Sequence, residues 1–445
     1  MPAPWSLARG LLPVRRTVRV GVTGLARAGK TALLTSLGAN LLAAGAGLPV
    51  LPALTQRLAG RSLRVALSPS GAQAVPRFDL RAHLGALAAD PPRWPARTQA
   101  VSLLSLDLQI GWPGAMGLLP PAQWRLEFLD YPGEWLVDLP LERMDFLAWS
   151  RQAIERLQGR AEAAEFLAFL RGLPARAPGD EALAASGAAL YRAALLRLRD
   201  EAHLSLLQPG RLLMPPPGPE PPWLVLFPYA GEGALASLLG QRYAAYQQAI
   251  RRDLLAPGFG RLDALVVLAD ILSALHAGPA AFADAQAALQ SVAAALRWEG
   301  MWSWLSALLP FWGGIGRVAY AASKSDHVAA RQRGNLAALV RAMVQPRDAS
   351  TAGFALSAVR CTQDMVWTLE GHPVSAVRGV VAGEGRAARS YPGEVPDRPP
   401  EADFWQHRFL SLPDFLPARL PALGQAGVPH LELDRLLVFL LEEAL

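Results

Sequence analysis

The chain has 445 residues, 52% of them hydrophobic and 18% charged, enough to bury a substantial core and to exclude a disordered tail protein. Its 43 basic and 37 acidic residues leave a net charge of +6 with no run of five or six like charges, so an acidic partner is permitted, while nucleic-acid binding has no reader motif behind it. A single cysteine, Cys361, excludes an intrachain disulfide framework and any multi-cysteine metal site, and points to a reducing compartment.

Arg9, Arg15, Arg16 and Arg19 interrupt the early apolar runs, so no secretory signal is expected. Thr17 to Thr23 (TVRVGVT) is β-branched and alternating, and it runs into a glycine loop and then an apolar stretch: strand, loop, helix. Thr31 to Gln56 carries no charge, but its polar residues, glycines and prolines predict a buried helix and a loop in place of a membrane span. A polar connection follows, ending in AADPPRWPARTQ (Ala88 to Gln99). Val101 to Ile110 and Trp124 to Leu129 then read as neighbouring strands joined by the turn WPGAMGLLPP.

Helical spacing takes over from Leu141 to Gln208, closes in the proline cluster MPPPGPEPP, and resumes around Leu235 to Leu255. Strands return at Leu262 to Ala269, Arg317 to Ala322 and Gly353 to Val359, alternating with helical stretches as βαβ units do. From His372 the tail reads as irregular and proline-rich, closing in the short helix LDRLLVFLLEEAL. The expected fold class is α/β, a three-layer P-loop NTPase (GTPase-like) domain with a mostly parallel sheet. Residues 15–140 and 257–371 supply its halves, 141–256 a helical insertion, and 372–445 a C-terminal extension packed on the core.

Only two of the 43 basic residues are lysine, Lys30 and Lys324. Lysine is a compact point charge on a flexible stem, and the planar arginine fork does not replace it where that shape is needed. Lys30 falls in Gly24-Leu-Ala-Arg-Ala-Gly29-Lys30-Thr31, which fits GxxxxGK[ST] between a strand and a helix. In such a loop backbone N–H groups from Gly24, Ala26, Arg27, Ala28, Gly29 and Ala32 surround phosphates, Lys30 reaches the β- and γ-phosphates, and the Thr31 hydroxyl ligates Mg²⁺.

Asp130-Tyr131-Pro132-Gly133 follows an apolar strand as DxxG, giving Asp130 to Mg²⁺ and the Gly133 N–H to a γ-phosphate. Lys324 lies in Ser323-Lys324-Ser325-Asp326, a form of the [NT]KxD guanine motif with serine first; Asp326 would accept guanine N1–H and its 2-amino group. Ser357-Ala358 closes the last strand, where a backbone N–H can meet guanine O6. Cys361, just beyond, reads as packed near the base pocket, with no histidine or aspartate beside it in sequence to activate it. Thr98 precedes a strand and is placed to close on Mg²⁺ and the γ-phosphate, with Arg97 and Arg93 as alternatives for an arginine finger in cis or for remote surface charge. Glu134 stands where a water-orienting glutamine is common; a carboxylate there repels the γ-phosphate, so slow turnover is expected.

The stretches VTGLARAGKTALLTSL, DPPRWPART, LDYPGEWLVDLPL, ASKSDHV, QPG, DFW and LDRLLVFLL resemble the YcjX-like family of bacterial P-loop NTPases, from about Arg19 to the C-terminus. DYPGEW, Asp130 to Trp135, is their most specific piece. The resemblance implies a protein that binds GTP/GDP with Mg²⁺, works in envelope stress, and sits in the cytoplasm, often beside an inner-membrane protein. Gly300 to Gly316 (GMWSWLSALLPFWGGIG) holds Trp302, Trp304 and Trp312 and stays open between a helix packed on the sheet and a membrane or partner surface. Two other readings remain: a nucleotide-stabilised interaction module at the membrane with incidental hydrolysis, and an ATPase or P-loop kinase, which the SKSD motif opposes.

Overall fold

The computed structural model describes residues 16–68, 75–96, 101–112, 120–215, 218–254, 262–297, 315–346, 350–406 and 412–442. Arg97, Thr98 and nearly all of the Gly300 to Gly316 stretch lie outside the described residues, as does the Glu134 side chain.

The first half of the chain forms β1 (Arg16–Gly24), α1 (Lys30–Gly45), α2 (Pro52–Arg57), β2 (Leu63–Leu67), α3 (Leu80–Ala88), β3 (Ser102–Ile110), β4 (Ala122–Asp130) and the single turn α4 (Gly133–Leu136). A helical stretch comes next, with α5 (Phe146–Leu157), α6 (Ala164–Gly172), α7 (Glu181–Asp200), the short α8 (Gly210–Leu213) and α9 (Ala234–Leu254). Strand and helix then alternate through β5 (Ala264–Ala269), α10 (Ile271–Ala277), α11 (Pro279–Arg297), β6 (Arg317–Ala322), α12 (Ala330–Val344) and β7 (Thr351–Ala355). The chain closes with β8 (Thr362–Leu369), β9 (His372–Val380), β10 (Ala387–Ser390) and α13 (Leu433–Leu441). Aspartates start several of these helices: Asp79, Asp145, Asp180 and Asp270 each accept a backbone N–H of the first turn.

Seven strands form one sheet in the order β2-β3-β4-β1-β5-β6-β7. β1 pairs in parallel with β4 and β5, β6 and β7 extend the parallel set, and β3 runs antiparallel between β2 and β4. Both faces are covered, so β5 is buried along its whole length and reads as a continuous apolar run. Leu265, Val267 and Ala269 face a core continuous with Trp149, Tyr191 and Tyr243 of the helical stretch, and with α10 to α12. Ala264, Val266 and Leu268 face the other core, with α1, α3 and α13. The architecture is therefore the three-layer α/β arrangement expected.

The uncharged stretch after the glycine loop forms α1, whose Leu33, Leu34, Leu37 and Leu41 are fully buried. Burial on all sides explains the missing charge. Its buried Thr35 is satisfied within the helix, Oγ1 donating to the Thr31 carbonyl at 2.7 Å. Among the described residues no helix is long and apolar enough to cross a membrane.

Three expectations are corrected. The polar connection before Gln99 contains β2 and α3; β2 is an edge strand of five residues with Arg64, Ala66 and Leu67 exposed, too short for its alternation to stand out in the sequence. The tail from His372 is not irregular at first, since β9 and β10 belong to it and form a small antiparallel sheet with β8, which precedes it. Its half-exposed strands mix charge and apolar residues, which hides them from pattern reading. Ser357 and Ala358 lie beyond β7, which ends at Ala355; Ser357 instead pairs with Leu431 in an isolated bridge.

That bridge is part of a clasp holding the C-terminal segment against α1. The buried Asn40 donates to the Val428 carbonyl (3.0 Å) and accepts the Val428 N–H (3.1 Å). Asn40→Ala leaves both backbone groups without these partners, and unfolding in urea should show a loss of about 1–3 kcal/mol, the cost of unsatisfied buried groups.

Candidate functional site

The loop between β1 and α1 is shaped by contacts that tolerate little bulk. A Cβ at Gly24 would overlap the Leu268 carbonyl of β5, while Leu25 donates its N–H to that same carbonyl at 2.8 Å. Gly29 caps α1 with φ 84°, a left-handed conformation that suits glycine. Arg27 also has positive φ, and its guanidinium reaches Asp200 at the end of α7 at 3.0 Å. Lys30 opens α1 and donates from Nζ to the Gly24 carbonyl at 3.2 Å. Thr31 is buried at the same helix start.

Asp130 ends β4, buried to 1% and paired in register with Val22 of β1. Gly133 presses on the glycine loop so closely that a Cβ there would overlap the Gly24 carbonyl and stand 3.0 Å from Lys30 Nζ. Glu134 has its backbone in α4. Arg93 is exposed.

Lys324 adopts a left-handed conformation (φ 58°) at the end of β6, and its ammonium meets the Asp270 carboxylate at 2.6 Å. Burial opposes both charges. The pair nevertheless holds Lys324 above its ordinary pKa and Asp270 below it, Asp270 being helped by Ser273. Asp326 is 1% exposed, with Oδ2 accepting the Cys361 N–H at 2.7 Å and the Cys361 thiol at 3.1 Å. Ser323 Oγ donates to the Ala269 carbonyl at 3.3 Å, tying β6 to β5.

These pieces meet around one cavity of about 560 Å³. Arg27, Ala28, Gly29, Lys30, Thr31 and Ala32 line it from the glycine loop; Ser323, Lys324 and Asp326 from the end of β6; Ser357 and Ala358 from beyond β7. Gly24, Ala26, Asp130 and Gly133 are not among its lining residues. The cavity also takes residues that pattern reading passes over. Trp94, Met214, His327, Asp414 and Phe415 line it from four distant parts of the chain. Trp94 Nε1 donates to the Phe415 carbonyl at 2.9 Å, and Phe415 bridges to Val381 beside β9 and sets its ring 5.1 Å from His327. No local sequence signal marks Phe415. Asp270 had one, as the charge that ends the apolar run of β5.

Met214 connects this cavity to the helical stretch. Trp135 of α4 donates its indole N–H to the Met214 carbonyl at 3.1 Å, and the Arg211 guanidinium lies 4.5 Å over the Trp135 ring. Asp138, fully buried, accepts the Gly210 N–H at 2.8 Å and the Tyr246 hydroxyl. Burial pushes the Asp138 carboxyl up to about 7, against the opposing pull of Tyr246, Gly210 and the Arg211 charge. The segment after Asp130 is thereby fastened to α8 and α9.

The family described as YcjX-like, DUF463, matches residues 18–445. The chain is 32% identical over 458 residues to the Ras-like GTPase YcjX of Escherichia coli (strain K12), covering 97% of each chain. It is 33% identical over 472 residues to the Ras-like GTPase YcjX of Shewanella oneidensis, covering 97% of this chain and 95% of that one.

The Asp138 environment has a pH consequence. A folded-state pKa of about 7 against an ordinary 3.8 means that the native state keeps a proton the unfolded chain has already lost. Stability from this group therefore falls as pH rises between about 4 and about 7. The denaturation midpoint of the native protein should decline across that window, and Asp138→Asn, which cannot ionise, should flatten the decline.

Proposed function

The chain belongs to the YcjX-like family, and from that premise we propose that it binds guanine nucleotide, hydrolyses GTP slowly, and serves as a nucleotide-dependent switch in bacterial envelope stress. The observation that carries this reading is the single cavity lined by the glycine loop with Lys30, the Lys324–Asp326 turn and Ser357-Ala358, the first of these far from the other two in sequence. The name Ras-like GTPase borne by both relatives agrees with it.

In this reading the backbone N–H groups around Arg27 to Ala32 cradle phosphate oxygens at the start of α1, where the helix dipole favours negative charge. Lys30 exchanges its bond to the Gly24 carbonyl for the β- and γ-phosphates. Thr31 and Asp130 fit Mg²⁺, because their hydroxyl and carboxylate are hard oxygen donors, and Thr98 is the further ligand this reading assigns. When bound, that ion neutralises charge on the β- and γ-phosphates. Gly133, pressed against the glycine loop, offers its N–H to the terminal phosphate in this reading. Glu134 orients the attacking water, and Arg97 acts as the finger in cis.

At the base end, Lys324 lays its stem along guanine while Asp270 holds the ammonium in place. Asp326 keeps acceptor capacity beyond the two bonds from Cys361, since a carboxylate offers about four lone-pair sites. Guanine brings two adjacent donors to it. Adenine brings an acceptor and leaves the carboxylate desolvated and unpaired.

Titration calorimetry with Mg²⁺ should give GTP an advantage over ATP of more than about tenfold, the cost of one unsatisfied buried acceptor. Asp326→Asn should weaken GTP and favour XTP, and Lys30→Ala should abolish binding of either. Equal affinity for ATP and GTP in the native protein would overturn the base assignment. Glu134→Ala should lower the single-turnover rate while leaving GTP affinity near native, because a water-orienting group acts in the transition state.

A further inference from the structure

Asp326, His327 and Cys361 bring a carboxylate oxygen, a ring nitrogen and a sulfur within 4.8 Å of one another. All three residues line the nucleotide-sized cavity, yet the proposed function uses only the first. Cys361 Sγ lies 3.1 Å from Asp326 Oδ2 and 3.8 Å from His327 Nε2. Bonds of about 2.0–2.3 Å in a tetrahedral zinc site set neighbouring ligand atoms about 3.2–3.8 Å apart. The two separations from the sulfur need little adjustment, and the third lies within 4.8 Å.

His327 supplies a second, independent observation. It is 4% exposed; among the described residues its buried Nδ1 has no hydrogen-bond partner and its Nε2 faces the Cys361 sulfur. A buried imidazole is normally held by firm bonds at one nitrogen or both. This one is instead positioned by the edge of Phe415 and aimed at a thiol. The carboxylate is held in turn by the Cys361 N–H, which binds Oδ2 at 2.7 Å, while Thr362 Oγ1 fixes the Asp326 main chain by donating to its backbone carbonyl. Such outer bonds orient metal ligands.

We infer that Asp326, His327 and Cys361 form a binding site for Zn²⁺ or a similar borderline-soft divalent cation, and that its occupancy excludes guanine nucleotide from the cavity. Imidazole and thiolate suit zinc and do not suit Mg²⁺, so the ion proposed for the phosphates does not compete here. Coordination releases the thiol proton to solvent. Without metal, burial and then the Asp326 carboxylate keep the Cys361 thiol protonated, which makes it a poor nucleophile. The exclusion half of the inference rests on the proposed guanine contact, because a metal-bound Asp326 no longer presents the same acceptor to the base. The metal half does not depend on it.

Co²⁺ reports a thiolate ligand by its sulfur-to-metal charge-transfer absorption. Nucleotide-free full-length protein titrated with Co²⁺ should develop that band at one equivalent, and Zn²⁺ should abolish it by displacement. Cys361→Ser should lack the band, and His327→Ala should need at least about tenfold more Co²⁺. Absence of the band in folded native protein, or an unchanged Zn²⁺ affinity in Cys361→Ser, would overturn the metal site. Zn²⁺ should also raise the apparent Kd for GDP in the native protein and leave it unchanged in Cys361→Ser, a control that carries the same metal–nucleotide complexation in solution. A cobalt band with GDP affinity indifferent to Zn²⁺ overturns the exclusion. A cobalt band in a protein that binds no guanine nucleotide overturns the proposed function and the exclusion together, and supports the metal site alone.

Discussion

The ion pair between Lys324 and Asp270 is the constraint on which the β6 end of the cavity depends. At 2.6 Å it joins the ends of two adjacent parallel strands, β5 and β6. Asp270 serves two further purposes, accepting the Ser273 N–H at 3.1 Å to start α10 and the Ser273 hydroxyl at 2.7 Å. Moving charges out of water is costly unless each is paired and hydrogen-bonded, and here the carboxylate is satisfied by three donors. Lys324 takes a left-handed backbone that costs energy for a residue with a Cβ. The turn that follows delivers Asp326 to the cavity wall, where Cys361 receives it.

A second constraint works by exclusion of volume. Neither Gly24 nor Gly133 leaves room for a side chain, Gly24 because Leu268 of β5 lies against it and Gly133 because the Gly24 carbonyl does, and Lys30 bonds to that same carbonyl. Any displacement of Gly133 is therefore felt by the glycine loop. The residues beyond it are no freer, because Trp135 and Asp138 bind the backbone of Gly210 and Met214. Met214 then lines the cavity. The helical stretch, the turn after β4 and the loop after β1 form one connected set of contacts. Its core is continuous with the sheet, which makes the stretch between β4 and β5 part of the same packed body.

The C-terminal part closes the cavity on the remaining side. Val381 and Phe415 pair across an isolated bridge, Ala382 donates to the Asp414 carbonyl at 2.8 Å, and Trp94 bonds to the Phe415 carbonyl. Phe415 is 1% exposed. A ring so buried, resting on His327, is both wall and support for the aspartate–histidine–cysteine group.

Local pattern was enough to read the strand, loop and helix around Lys30, the strand before Asp130, and the β5 to β7 alternation, because each is written in a few consecutive residues whose period or glycine spacing admits one geometry. The scarcity of lysine singled out Lys30 and Lys324, and both line the cavity. Tertiary structure alone decided the rest. β2 and β9 form because a neighbouring strand offers its free backbone groups, β2 being too short and β9 too irregular in its burial for pattern alone to mark them. Trp94, Met214, Asp414 and Phe415 reach the cavity across separations that no short-range rule encodes. Cys361 stands 34 residues from His327 and 35 from Asp326 in the chain. Only the packing of β8 against the turn after β6 turns three unremarkable residues into a cluster of metal-ligand type.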